Sequence, residues 1–117
     1  LIDGNWHVVM VTWRSRRGDW KIYVDGEIRA SGTGMAARHT IREGGVWILG
    51  QEQDSVGYDF EVFQAYGGDL ASFNVWNYVL SSEERNRASS CSFQGNVVDW
   101  HSSTLKLRGD VKRSSYD

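Results

Sequence analysis

Between Trp20 and Ile28 the chain alternates apolar and polar side chains on either side of an Asp25-Gly26 pair, and this short stretch constrains the fold more than any other. Both central residues of a type I′ turn need positive φ, which glycine adopts freely and aspartate tolerates, so Asp-Gly between two such segments predicts a tight antiparallel hairpin. Trp20, Ile22 and Val24 alternate with Lys21 and Tyr23 at the period of two that defines a half-buried strand. Upstream, Trp6-His7-Val8-Val9-Met10-Val11-Thr12-Trp13 is rich in β-branched and aromatic residues and apolar on both faces. That pattern predicts a central strand covered on two sides. Ser15-Arg16-Arg17-Gly18-Asp19 is a polar turn between the two strands.

Further strands are expected downstream. Ile28 continues the return strand as far as a loop at Ser31-Gly32-Thr33-Gly34, and Val46-Trp47-Ile48-Leu49 is a short apolar strand after the Glu43-Gly44-Gly45 turn. Phe60 to Tyr66 is mixed in character, and Gly67-Gly68 turns the chain. Asp69 to Trp76 then places Ala71, Phe73 and Val75 on one face and Leu70 and Trp76 on the other, and Asn96 to Trp100 reads as one more strand. Trp13, Trp20, Trp47, Trp76 and Trp100 all fall in these strands, which makes them core residues rather than sugar-stacking platforms. One short helix, over 81–88, is expected where Ser81-Ser82-Glu83-Glu84 matches the capping box. The tail from Asp110 is polar and expected to be loose. No fixed-period repeat and no dividing linker is visible.

Composition agrees with an all-β class. Six Trp, five Tyr and four Phe favour half-buried pleated surfaces, and thirteen Gly with no Pro point to turns made by glycine. At 117 residues one core is expected. Thirteen Lys+Arg against fifteen Asp+Glu leave a net charge of -2 with no basic stripe, which argues against nucleic acid as a partner. No apolar run approaches the roughly 18 to 20 residues of a membrane helix, so direct membrane insertion is not expected, and no signal-peptide pattern opens the chain. The first residue is Leu1 rather than Met, the mark expected of an excised or processed piece. The lone Cys91 cannot form an internal disulfide. Two readings stand for it, a buried small hydrophobe or half of a bridge whose partner lies outside this chain.

Chemistry concentrates in one place. Gln51-Glu52-Gln53-Asp54, followed by Asp59, Glu61 and Gln64, gathers hard oxygen donors within fourteen residues. Calcium takes six to eight such oxygens from carboxylates, side-chain amides and backbone carbonyls, whereas magnesium keeps more water. Zinc is disfavoured, because His7, His39 and His101 are scattered and the only thiol is elsewhere. An enzymatic reading finds little. Glu52 and Asp54 occupy alternate positions, as glycosidase carboxylates on one strand would, but the next alternate position is Val56. No Ser sits in a G-x-S-x-G turn, and His7 lies in a strand, where packing or a backbone hydrogen bond is the expected role. The N-x-[ST] sequon does not occur.

These blocks together resemble the C-terminal half of a pentraxin domain, a relative of the laminin-G and concanavalin-like jelly rolls. Asp3-Gly4-Asn5-Trp6-His7 leading to Thr12-Trp13-Arg14-Ser15 is similar to the family's signature strand, and Trp20 through Asp25-Gly26 to the hairpin after it. The most specific block is Leu49-Gly50-Gln51-Glu52-Gln53-Asp54-Ser55 with Phe60, Gln64 and Gly68. Asn74-Val75-Trp76, Leu80-Ser81 and Gly95-Asn96-Val97-Val98-Asp99-Trp100 extend the likeness nearly to the end. The resemblance implies an antiparallel two-sheet jelly-roll sandwich, of which residues 1–117 are the C-terminal portion of a single domain. It also implies two calcium ions at one face, held by Glu52, the Gln53 carbonyl, Asp54, Glu61 and Gln64, with Glu52 and Asp54 bridging both ions. The sequence departs from the family where Met10 takes the signature cysteine position and Val8 the histidine position, so the usual intradomain disulfide cannot form. Tyr58 stands where a second loop glycine is common. The family's N-terminal strands, with an Asp-Asn pair of ligands and the pocket selecting phosphocholine-like groups, are not in this sequence.

The resemblance therefore implies a non-enzymatic, calcium-dependent recognition or adhesion module, secreted or in the ectodomain of a cell-surface protein. Its partners would be phosphate-, carboxylate- or sugar-bearing ligands or a cell-surface protein, and ring formation by pentraxins implies a homo-oligomer. The alternative is a calcium-independent protein-binding domain on the same scaffold. A glycan hydrolase comes third, for want of a catalytic constellation. About seven strands are too few to cover both inner faces of a sandwich, so an incomplete domain is expected.

Overall fold

The computed structural model describes residues 1–51 and 65–115. Its regular structure is a three-stranded antiparallel sheet in the order β1-β2-β3, with β1 at Val9–Arg14, β2 at Asp19–Val24 and β3 at Glu27–Gly32, followed by one helix, α1, at Ser82–Ser89. The Asp25-Gly26 turn forms as expected, with φ of 51° and 83°, and joins β2 to β3 with Val24 opposite Glu27. The turn at Ser15 to Gly18 also forms: Gly18 has φ 65°, and its N–H donates to the Ser15 carbonyl at 3.3 Å. A side chain at Gly18 would run into the Met35 backbone, so only glycine lets the 34–38 loop fold back over this turn. β3 runs through Ser31 and Gly32 rather than ending before them, because Gly32 pairs with Trp20 and lies directly against its indole.

One expectation about the sheet is corrected. Among the described residues the Trp6-to-Trp13 segment is not a central strand. It contributes β1, an edge of the described sheet, while β2 holds the middle. On β2, Trp20, Ile22 and Val24 are half-buried and Lys21 is exposed. Tyr23, on the opposite face, is 6% exposed and with Leu80 is one of two buried apolar residues among those described. The reason is the Arg85 side chain of α1, whose guanidinium sits 4.7 Å from the Tyr23 ring centroid and donates to the Leu80 carbonyl at 3.1 Å. Pairing of Val9 with Val24, Val11 with Ile22 and Trp13 with Trp20 builds the other face. There Val9 and Val11 remain 53% and 65% exposed. At its far end Trp13 is anchored to the loop by its indole N–H donating to Met35 O at 2.7 Å.

Helix α1 begins where the capping box places it. Ser81 is the N-cap, its hydroxyl accepting from the Glu84 amide while the Glu84 carboxylate accepts from the Ser81 amide. Among the described residues no ladder forms over Val46–Leu49, Asp69–Trp76 or Asn96–Trp100, apart from one antiparallel bridge between Val75 and Val98. Ser72, at φ 55°, breaks the extended run from Asp69. Trp47 is 56% exposed rather than core. Cys91 is exposed too, with its thiol 3.5 Å from the Ser72 hydroxyl, so the reading of it as a buried hydrophobe does not hold.

Candidate functional site

All five expected metal ligands, Glu52, Gln53, Asp54, Glu61 and Gln64, lie outside the described residues, as do Tyr58, Asp59 and the strand expected from Phe60. What is described is the frame on either side. Gly50, at φ 85°, turns its carbonyl to accept from the Tyr66 amide at 2.6 Å. Across the same gap the Trp47 and Phe73 rings meet at 5.8 Å between centroids, tilted by 58°. The described chain on the two sides of residues 52–64 therefore meets at Gly50 and Tyr66. Gly68, at φ 144°, lies close to the Tyr66 ring, and a Cβ there would come 3.1 Å from the Tyr66 hydroxyl in a backbone conformation that favours glycine. Among the described residues no group of three His, Cys, Asp or Glu side chains is placed to hold a metal ion.

A second frame was legible only as a series of asparagines. Asn74 Oδ1 accepts from the Gly95 and Trp100 amides at 3.0 and 3.1 Å. Asn77 and Asn96 bond reciprocally, backbone N–H to Oδ1 and side-chain amide to Oδ1, at 3.0 and 2.9 Å. Around the Val75–Val98 bridge these side chains supply partners that a longer ladder would otherwise provide. A Cβ at Gly95 would meet the Val98 carbonyl and the Val75 backbone, so the approach of these two segments depends on glycine. Trp76 stacks on Phe93 at 5.7 Å, and Arg87 of α1 lies 4.7 Å over the other partner's ring centroid, that of Phe93.

The third cluster was missed by sequence reasoning. His7 Nδ1 lies 2.6 Å from Asp25 Oδ2, and Nε2 lies 2.9 Å from both oxygens of Asp3. Asp25 also accepts from the Val8 amide at 2.9 Å, and Asp3 from the Asn5 amide at 3.0 Å. The hydrogen bond from His7, then that from Asn5, hold Asp3 down to about 2. Asp25 is lowered by His7 and then by the Val8 amide, and His7 is raised by Asp25 and then Asp3. The two carboxylates sit on opposite edges of one ring, so they do not converge on a common ion. The available sequence signal was the Asp3-x-x-x-His7 spacing, but the partner in the hairpin turn is brought in only by the sheet.

Hairpin and capped helix define the described residues as a β-structured module with one short helix. A family model described as "Pentaxin family" matches residues 2–114. The neuronal pentraxin receptor of Mus musculus is 40% identical over 119 aligned positions, covering 100% of this chain and 24% of that protein. Neuronal pentraxin-2 of Homo sapiens is 41% identical over 113 positions, 95% of this chain and 26% of that protein. Neuronal pentraxin-1 of Homo sapiens is 39% identical over 118 positions, 98% and 27% respectively. The chain belongs to the pentraxin family. It spans about a quarter of the length of these relatives. Its class is that of extracellular recognition or binding domains, secreted or carried on a cell-surface protein. No helix among the described residues is long and apolar enough to cross a membrane.

Proposed function

We propose that residues 1–117 are the C-terminal portion of a single pentraxin domain that recognises phosphate-, carboxylate- or sugar-bearing ligands, or a cell-surface protein, through loop-held calcium. The observation that supports this most is the closure of the acidic loop at its base by the bond between the Tyr66 amide and the Gly50 carbonyl. Between these two residues the sequence carries Glu52, Gln53, Asp54, Glu61 and Gln64, hard oxygen donors of the kind calcium selects. Carboxylates gathered on one ion would repel one another without it, and a divalent cation offsets that repulsion. In this reading Glu52, Asp54 and Glu61 supply the anionic oxygens, and the Gln53 carbonyl and Gln64 the neutral ones. Bound calcium supplies open coordination positions for a ligand's oxygen atoms.

The same reading makes the sheet one half of a two-sheet jelly roll that works as a homo-oligomer. It is supported by the exposed Val9 and Val11 and by a buried Trp76 Nε1 and Gln94 Oε1 with no hydrogen-bond partner among the described residues. A metal that binds only the folded form raises the unfolding temperature by mass action. Thermal unfolding in excess calcium should therefore occur at higher temperature than in chelator, and the Glu52→Gln, Asp54→Asn double variant should fold but lose the shift. Identical melting curves for the unsubstituted chain in calcium and chelator would leave only the calcium-independent scaffold.

A further inference from the structure

Both ring nitrogens of His7 face carboxylate oxygens, Nδ1 facing Asp25 at 2.6 Å and Nε2 facing Asp3 at 2.9 Å. A carboxylate only accepts, and a neutral imidazole has one N–H to give. Only the imidazolium satisfies both contacts, and a neutral ring must turn a lone pair toward one of the anions. The two carboxylates belong to different parts of the chain. Asp3 precedes β1, whereas Asp25 sits at the tip of the β2–β3 hairpin. We infer that His7 is a pH-operated rivet that, as imidazolium, pins Asp3 and its neighbours to the hairpin tip and, as neutral imidazole, keeps Asp25 and releases Asp3.

The side that lets go follows from what else holds each carboxylate. Asp25 accepts the Val8 amide at 2.9 Å, and its own amide donates to the Val8 carbonyl at 2.9 Å, so it is fixed to the start of β1 whether or not His7 is charged. Asp3 has its other bond from Asn5, two residues along, and that bond travels with the segment. The charged side chains around the ring are Asp3, Asp25 and Arg29 of β3, and with His7, Leu1 and Val24 they line one cavity of about 330 Å³. Arg29 continues to attract Asp25 when His7 discharges, which favours the same outcome. Release of Asp3 removes one wall of this cavity and opens it to ligands. Because the two carboxylates raise His7, the change falls on the alkaline side of its ordinary 6.5, and acidification closes the rivet.

The test is a histidine-resolved NMR titration of the 117-residue chain, with heteronuclear NOEs of the amides of residues 2–5 recorded at each pH and His39 and His101 as internal controls. His7 should titrate above 6.5, and the order of residues 2–5 should fall with the same midpoint while β1 to β3 stay ordered. Asp3→Asn, an exposed substitution, should bring the midpoint down and leave residues 2–5 mobile at every pH. A His7 midpoint at or below 6.5, order in residues 2–5 that does not follow it, or an Asp3→Asn chain with an unchanged midpoint would each overturn the inference.

Discussion

Two side chains, Ser81 and Glu84, close the start of helix α1. Glu84 divides its two oxygens between the Ser81 amide, at 2.9 Å, and the Tyr78 hydroxyl, at 2.7 Å. The Ser81 amide, then Tyr78, lower its pKa, and Tyr78 is raised in turn by the same bond. Ser81→Ala should cost about 1 kcal/mol, measured by denaturant unfolding, with the loss concentrated in the exchange protection of α1. The pH dependence has two edges. Asp3, Asp25 and Glu84 all have lowered folded values, so their contribution is full above the unfolded carboxylate range and is lost as pH falls through those values, which for Asp3 is about 2. The raised His7 contributes fully below 6.5 and is lost as pH rises through its folded value. Stability should therefore be highest in mildly acidic solution, and urea midpoints between pH 2 and 9 check it: a midpoint that climbs steadily to pH 9 would contradict these assignments.

At the scale of elements, α1 and the sheet meet through long side chains rather than through apolar faces, and Arg85 over Tyr23 is the principal joint. Arg85→Ala should destabilise by about 1 kcal/mol, and Arg85→Lys, which keeps the cation and most of the stem, should recover part of it. Equal loss from both substitutions would show that the guanidinium bond to Leu80, rather than the charge over the ring, carries the joint. Local signals proved the legible ones. Asp25-Gly26 and Ser81-to-Glu84 encode their structures within four residues, and both form as read. Strands at Val46, Asp69 and Asn96 were not legible in the same way, because an extended segment becomes a strand only by pairing, and its partner is named nowhere in its own residues. Tyr23 illustrates the same limit on burial: alternation finds the two faces of β2, but an arginine sixty residues away decides which is covered.

At the scale of the whole molecule, the family is legible in sequence because its motifs lie in the turns and loops that local residues determine, and the match over residues 2–114 agrees with it. The acidic loop was likewise legible as a donor set, whereas the bond that closes its base was not, since Gly50 and Tyr66 carry no side-chain signal for a backbone contact. The His7 rivet escaped for a related reason: its second carboxylate arrives through the hairpin register. The proposal that the residues from Glu52 to Gln64 bind calcium for recognition is tested by calorimetric titration of calcium into chelator-treated protein. Saturable heat that disappears in the Glu52→Gln, Asp54→Asn variant is the predicted result. Heat of dilution alone from the folded, unsubstituted chain would contradict the claim.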